Sequence, residues 1–108
     1  SNENADAESI YQYIQLNYQN VTLDKISRQF HYNRAYLSRY IHQHFNKTFS
    51  EIVAQIRIEH AKENLRKTSK RITEIASDSG YESLNHFSRT FRKYVGMSPG
   101  EYRKSTMK

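Results

Sequence analysis

The sequence predicts an all-α protein of about seven helices that form two similar subdomains joined by a long linker helix. Only three glycines and one proline interrupt its 108 residues. Apolar residues recur three and four positions apart, as on an amphipathic helix, and alternation with the strand period of two is scarce. A third observation is an internal repeat with an offset of about 50 residues. It divides the helices into two equivalent sets.

The first two helices follow from apolar spacing and from a capping residue. A helix is expected at roughly 7–17, where Ile10 and Ile14 share one face. Thr22 is a candidate N-cap, because its hydroxyl can accept from an unpaired N–H of the first turn. The short helix that it begins carries three apolar residues, Leu23, Ile26 and Phe30.

The remaining helices are expected at 34–45, 49–67 and 83–95 and from Pro99 onward. A short helix carries Ile72, Ile75 and Ala76, and Gly80 ends it. Two capping boxes set the later starts. Ser98 and Glu101 can cap one another's backbone N–H groups around Pro99, and Thr48 and Glu51 can do the same without a proline. A residue that tolerates left-handed backbone precedes each box, namely Gly96 and Asn46.

The internal repeat matches a short helix, a tight turn and a longer helix with a second copy of the same three parts. The run Leu37-Ser38-Arg39 returns as Phe87-Ser88-Arg89. Other equivalent pairs are Ile26 and Ile75, Tyr32 and Tyr81, Ile41 and Phe91, His44 and Tyr94, Asn46 and Gly96, Thr48 and Ser98, and Glu51 and Glu101. This is the layout of a helix-turn-helix, whose second helix enters the major groove of DNA.

Helical periodicity separates an apolar face from a basic face on both longer helices. Residues expected to face inward are Leu37, Ile41, His44 and Phe45 in the first copy, and Phe87, Phe91, Tyr94 and Val95 in the second. Those expected to face outward are Ala35, Arg39 and His42, and then Asn85, Arg89 and Arg92. The aromatic rings are therefore interpreted as core rather than as a stacking platform for single-stranded bases.

The outward residues fall into three groups of candidate DNA contacts. Arginine can bind guanine through two hydrogen bonds, asparagine can bind adenine in the same way, and an alanine methyl can contact thymine. Candidate base contacts are Ala35, Ser38, Arg39, Asn85, Ser88 and Arg89; candidate contacts to bases or backbone are Arg34, Tyr36 and His86; candidate phosphate contacts are His42, Lys67, Lys70, Arg71, Arg92 and Lys93. The alternative for each basic residue is an ordinary solvated charge.

The charge distribution supports a polyanionic partner. The net charge is +6, from 17 basic and 11 acidic residues. Residues 1–24 contain four acids and no Lys or Arg, so the rest of the chain holds every Lys and Arg against seven acids. Such a body attracts nucleic acid, an acidic protein or anionic lipid. No apolar run approaches the 18 residues of a membrane span, and the absence of cysteine excludes disulfides and thiolate metal sites.

Two other classes of function were weighed against DNA binding. No Gly-rich phosphate loop, metal-ligand spacing or nucleophile–base set is present, so neither an enzyme nor a metal or cofactor site is predicted. A helical protein-interaction module with a basic surface remains the other alternative. It differs in expecting exposed apolar area, rather than Arg39 and Arg89, to dominate binding.

The chain resembles the DNA-binding domain of the AraC/XylS family of bacterial transcription regulators over about residues 10–102. The motifs that carry the resemblance are Ile75-Ala76, Gly80-Tyr81, Phe87-Ser88-Arg89-Thr90-Phe91-Arg92-Lys93, Gly96-Met97-Ser98-Pro99, Tyr102-Arg103 and the segment 57–65. The resemblance implies two helix-turn-helix units on a linker helix that bind double-stranded DNA as an activator or repressor. Ser27, Asn46 and Tyr81 stand where the family commonly has Ala, Gly and Phe.

The expected organisation is a disordered tail or expression remnant at 1–6, a first helix-turn-helix subdomain at 7–48, a linker helix at 49–67 and a second subdomain at 68–108. A linker of 19 residues would be about 28 Å long, which suits two recognition helices in adjacent major grooves about 34 Å apart. Bending of the DNA, or engagement of one motif alone, is the alternative to two helices on a straight duplex. The lack of cysteine fits a cytoplasmic protein. The resemblance also implies an effector or dimerisation domain outside this chain, usually on its N-terminal side. An activator would also contact RNA polymerase.

Overall fold

The computed structural model describes residues 3–107 and the side chains of residues 6–107. Seven α-helices and no strand occupy this part of the chain. Their bounds are α1 Glu3–Leu16, α2 Leu23–Phe30, α3 Arg34–Phe45, α4 Phe49–Lys67, α5 Ile72–Asp78, α6 Leu84–Val95 and α7 Pro99–Thr106. The all-α prediction is confirmed, and the bounds of α3 and α4 agree with those expected from the sequence.

The first helix is longer at its N-terminal end than the sequence indicated. It begins at Glu3, so residues 3–6, which were expected in a disordered tail, are helical; residues 1 and 2 lie outside the described part. Two features of this end of α1 cannot be read from the sequence. Ala7 is buried, and the Asp6 carboxylate accepts a hydrogen bond of 2.9 Å from the Tyr32 hydroxyl.

The chain divides into two compact units, of which unit 1 ends at Val53 and unit 2 begins at Ala54. The boundary lies inside α4, although the sequence suggested a separate linker. The reason is that the two ends of α4 bury apolar residues in different cores. Ile52 and Val53 are buried in unit 1. Further along the helix Ile58, Ala61 and Leu65 belong to the core of unit 2.

Unit 1 is built from α1, α2, α3 and the start of α4. Its fully buried side chains are Ile10, Ile14, Ile26, Leu37 and Ile41. Aromatic pairs surround them, with ring centroids 5.5 Å apart for Tyr11 and Phe45 and 5.9 Å apart for Tyr13 and Phe30. Burying each aliphatic side chain of this kind contributes about 1.5–3 kcal/mol. Burial of these five residues, which come from α1, α2 and α3, therefore stabilises unit 1.

The turn between α2 and α3 is tied by backbone and side chain together. His31 ends α2 in the left-handed conformation, with φ of 61°. The N–H of Tyr32 donates to the carbonyl of Ser27 over 3.0 Å, and the Ser27 hydroxyl donates back to the carbonyl of Tyr32. Ser27, a departure from the usual alanine of the family, thus adds a hydrogen bond that an alanine lacks.

Unit 2 has an aromatic core. Its buried cluster consists of Ile58, Ala61, Leu65, Ile75, Ala76, Tyr81, Phe87 and Phe91. The Phe91 ring lies 5.7 Å from Phe87 and 5.6 Å from Tyr102, measured between centroids. The Arg103 guanidinium donates to the carbonyls of Leu65 and Thr68 over 3.1 and 3.2 Å. These bonds satisfy acceptors that the C-terminal end of α4 would otherwise leave unpaired.

Both predicted capping boxes are present. The Ser98 hydroxyl accepts from the N–H of Glu101 over 3.1 Å, and the Glu101 carboxylate accepts from the N–H of Ser98 over 2.8 Å. This second bond holds the pKa of Glu101 below its ordinary value, because it stabilises the charged form. Thr48 and Glu51 make the equivalent pair of bonds. The left-handed residues before the boxes are Asn46 and Gly96, with φ of 60° and 88°.

The inward assignment of His44 is wrong. Leu37, Ile41, Phe87 and Phe91 are buried as predicted, but His44 is exposed, whereas Phe45, Tyr94 and Val95 are half-buried. His44 lies at the edge of the apolar face, in the last turn of α3. Its ring packs on Tyr40 and Phe45, at centroid distances of 5.9 and 4.8 Å, while one side stays in solvent.

Within residues 3–107, no helix combines the length and the apolar character that a bilayer crossing requires.

Replacing Phe91 by Ala tests the core of unit 2. The ring is fully buried against two other rings, so its removal should lower the free energy of unfolding by about 3–5 kcal/mol. Urea unfolding followed by circular dichroism measures the change. Arg89→Ala, at an exposed site, is the control and should change stability by less than about 0.5 kcal/mol. An unchanged midpoint for Phe91→Ala would contradict the assigned core.

The bond between Asp6 and Tyr32 should be visible in a tyrosine titration. It raises the pKa of Tyr32 to about 12 from an ordinary 10.0, because only the neutral phenol can donate to the carboxylate. Its contribution to stability is therefore complete below pH 10.0 and is lost as the pH rises through about 12. Asp6→Ala should shift one late-titrating tyrosine to lower pH in an ultraviolet absorbance titration.

The control for that titration is Asp24→Ala, which removes an exposed partner of Arg34 in the same unit. Tyr81 also titrates late, since burial raises its pKa, so each variant is compared with the unmodified chain. If Asp6→Ala and Asp24→Ala gave the same titration curve, the hydrogen bond would not hold Tyr32 in solution.

Candidate nucleic-acid interface

Helices α3 and α6 begin and end in the same way, which sets them in the same register. The Asn33 side chain accepts from the N–H groups of Ala35 and Tyr36 over 2.9 and 3.2 Å. Fifty residues later the Ser83 hydroxyl accepts from the N–H of His86 over 3.0 Å. Left-handed residues end both helices. Each position of α3 therefore corresponds to the position 50 residues further on in α6.

The buried residues of each helix determine which side faces solvent. Leu37 and Ile41 are fully buried in unit 1, and Phe87 and Phe91 are fully buried in unit 2. A residue on the opposite side of the helix must then point away from the core of its own unit. Among the sequence-predicted base and backbone contacts, Ser88 is half-buried. The others are exposed, namely Arg34, Ala35, Tyr36, Ser38, Arg39, Asn85, His86 and Arg89.

Arg39 and Arg89 occupy the sixth position of their helices, and both are exposed. Within the described residues neither has a carboxylate, hydroxyl or ring partner. A guanidinium carries five N–H donors in a planar fork. Each helix thus presents a free fork at its midpoint, on the side away from its own core.

Several other candidate contacts are held in exposed ion pairs. Arg34 lies 3.2 Å from Asp24, and Arg92 lies 3.3 Å from Glu101. The Lys93 ammonium lies 5.6 Å from the centre of the Tyr94 ring. Exposed pairs of this kind are worth about 0–1 kcal/mol. A phosphate group can therefore replace the carboxylate at little cost.

The three basic candidates at the end of α4 and just before α5 are exposed. Lys67 pairs with Glu63 at 3.3 Å and Lys70 with Asp78 at 3.0 Å. The hydrogen bond to Asp78 raises the pKa of Lys70 above its ordinary value. Arg71 is exposed and precedes α5. Within residues 6–107, no hydrogen bond or ion pair joins these three residues to α6.

The basic candidates therefore differ in whether a carboxylate holds them. Predicted phosphate contacts at Lys67, Lys70 and Arg92 have acidic partners, whereas the predicted base contacts Arg39 and Arg89 have none within residues 6–107. His42 is also exposed, on the same side of α3 as Arg39. No group of three or more His, Cys, Asp or Glu residues in the described part could hold a metal ion.

Comparison with known proteins agrees with this geometry. The profile of a family described as "Helix-turn-helix domain" matches residues 26–105. A solved AraC-type DNA-binding regulator from Chromobacterium violaceum superposes with a TM-score of 0.82 at 26% identity, over 92% of this chain and 89% of that one. The chain belongs to the AraC/XylS family of transcription regulators.

Two further relatives agree with membership of the AraC/XylS family. The C-terminal domain of AraT, a response regulator from Geobacillus stearothermophilus, superposes with a TM-score of 0.89 at 35% identity, covering 94% of this chain and 86% of that one. The melibiose operon regulatory protein of Escherichia coli is 34% identical over 86 residues, or 80% of this chain. The chain spans only 28% of the length of that relative.

Two features of this AraC-type domain were missed by the sequence analysis. Leu84, the first residue of α6, is 44% exposed. In unit 1 a row of rings runs along one flank of α3, with centroids 5.5–6.4 Å apart, and consists of Tyr32, Tyr36, Tyr40 and His44. The four-residue spacing of these rings was the available signal. For Leu84 the signal was its place directly after the cap.

Proposed function

We propose that the domain binds double-stranded DNA at specific sequences, with α3 and α6 as recognition helices in adjacent major grooves, and thereby regulates bacterial transcription. The observation that carries this proposal is the pair of free arginines at the sixth position of two helices in the same register. DNA binding and transcription regulation are properties of the family to which the chain belongs. The choice of residues and grooves is what the proposal adds.

Base contacts follow from the donors and acceptors that each exposed side chain offers. Arg39 and Arg89 each bind the O6 and N7 atoms of a guanine, and Asn85 binds N6 and N7 of an adenine. Ala35, at the position equivalent to Asn85, offers only a methyl group and contacts a thymine methyl. The hydroxyl groups of Ser38 and Ser88 bind a neighbouring base, and Arg34, Tyr36 and His86 contact bases or backbone at the edges of the two faces.

Phosphate contacts supply affinity without sequence information. His42 and Arg92 lie at equivalent positions three residues beyond the two arginines, and Lys93 follows Arg92. Lys67 at the end of α4, and Lys70 and Arg71 before α5, add further positive charge. When one of these basic side chains exchanges its carboxylate partner for a phosphate group, one weak exposed ion pair replaces another, and counterions are released from the DNA.

The two-groove arrangement is supported by the continuity of α4. This helix runs without interruption from Phe49 to Lys67 and contributes core residues to both units. Its 19 residues give a length of about 28 Å, compared with about 34 Å between successive major-groove faces. A single chain would then read two different half-sites on one side of the duplex.

The domain is proposed to be part of a longer regulator that acts in the bacterial cytoplasm, because this chain spans a small share of its curated relative. The remainder would sense an effector or form a dimer. As an activator, the regulator would also contact RNA polymerase.

Binding should weaken steeply as salt rises. Gel-shift titrations with random duplex DNA across a salt series give the slope of log K against log salt, which changes by about 0.9 for each phosphate contact. If several of the six candidate phosphate-contacting residues bind the DNA, the slope should be about −3 or more negative. A near-zero slope, or no binding, would favour the protein-interaction alternative over DNA recognition.

Replacing Arg89 and Arg92 by Ala should change DNA binding in different ways. Arg89→Ala should lose about 1–3 kcal/mol on the preferred duplex and blur the preference at one base pair. Arg92→Ala, the matched control three residues away, should weaken all duplexes alike and reduce the salt slope by about 1. Site selection followed by competition binding measures both effects. Uniform weakening by Arg89→Ala would place Arg89 on the backbone.

Arg39→Ala extends the same comparison to the two-groove arrangement. If both helices engage one duplex, the base pairs that lose preference in Arg39→Ala and Arg89→Ala should lie about one helical turn, or about 10 base pairs, apart. Loss of preference at the same base pairs in both variants would contradict simultaneous engagement.

A further inference from the structure

Leu84 is a large apolar residue in an unusual place, because it is exposed at the N-terminal end of α6, the proposed recognition helix of unit 2. It is the first residue of α6, directly before Asn85, and 44% of its surface is exposed. It belongs neither to the buried cluster of unit 2 nor to the partly buried residues packed against that cluster. The core of unit 2 therefore does not account for a leucine at this position.

The position of Leu84 is one from which a recognition helix contacts bases. In helix-turn-helix proteins the N-terminal residues of the recognition helix meet the base edges in the major groove. Ser83 is the N-cap of this helix, and its hydroxyl already accepts a hydrogen bond from the N–H of His86. Leu84 and Asn85 are thus the first two side chains of α6 that are free to meet DNA.

The chemistry of leucine restricts what it can recognise. Its side chain has no donor or acceptor, so it cannot pair with the polar edges that guanine, adenine and cytosine present. The one apolar group in the major groove is the C5-methyl of thymine. A leucine placed over any other base would cover polar atoms without replacing their hydrogen bonds to water, which is unfavourable.

We propose that Leu84 is a specificity-determining residue that packs against the C5-methyl group of a thymine next to the base pair contacted by Asn85. This inference rests on the proposed function of α6 as a recognition helix. It adds a thymine requirement to the second half-site.

The two units would then read different sequences at this place. The equivalent residue of unit 1 is Arg34, which is charged and pairs with Asp24 at 3.2 Å. An arginine offers donors, and so it does not select a methyl group. The thymine requirement is accordingly expected in the half-site of α6 and not at the equivalent place in the half-site of α3.

Replacing thymine by deoxyuridine isolates the proposed contact, because it removes the methyl group and nothing else. The duplex is the one that the unmodified chain enriches from a random library, with each thymine replaced singly. One replacement in the α6 half-site should weaken binding about 4-fold, the equivalent of one methyl-sized group buried. In Leu84→Ala the same replacement should have little or no effect, because the shorter side chain buries much less of the methyl group, although binding to the thymine duplex is itself weaker.

Leu16→Ala is the matched control, because Leu16 is a 76% exposed leucine of α1 in the other unit. It should keep the 4-fold difference between thymine and deoxyuridine. Leu84→Gln serves as a second variant of the same size, and it too should lose the difference. Circular dichroism melts of these variants should match that of the unmodified chain, since both leucines are exposed.

The outcomes separate this inference from the function on which it rests. If the library yields no preferred duplex, sequence-specific binding itself is overturned, and the leucine contact with it. If a duplex is enriched but no single deoxyuridine weakens binding, only the leucine contact is overturned. The same holds if the deoxyuridine penalty is unchanged in Leu84→Ala and Leu84→Gln.

Discussion

The burial of two apolar residues one turn apart in both α3 and α6 is the constraint on which the rest of the structure depends. Leu37 and Ile41 fix the rotation of α3, and Phe87 and Phe91 fix that of α6. Because a helix is rigid at 100° per residue, fixing the buried side also fixes the exposed side. The free arginines face away from their own cores as a consequence, so the core of each unit orients its candidate DNA-binding face.

Electrostatics then divides the basic residues into two kinds. One kind pairs with carboxylates at 3.0–3.3 Å and consists of Arg34, Lys67, Lys70 and Arg92. The two arginines at the helix midpoints have no such partner among residues 6–107. A free guanidinium in mid-helix suits base recognition, because no internal ion pair has to break before its fork can bind a base.

Much of the fold could be predicted from the sequence, because local signals were strong. A left-handed residue marked the end of α3 and a capping box marked the start of α4. The spacing of apolar residues identified the buried face of both α3 and α6. Prediction failed where a distant partner decides. Asp6 was expected in a tail, but it lies in α1 and accepts a hydrogen bond from Tyr32, which is 26 residues away in the chain. His44 is a different case, because it lies at the edge of the apolar face and its ring packs on the neighbouring Tyr40 and Phe45.

By itself the sequence determined where the helices lie and how they repeat. It also determined which side of α3 and of α6 carries basic residues, because these features follow from spacing and capping within a few turns. Only the tertiary structure decided which basic side chains form ion pairs and where the cores divide along α4. It also decided that Leu84 is exposed beside Asn85. The physical reason is that pairing and exposure depend on atoms brought together from distant segments. No local pattern records those distances.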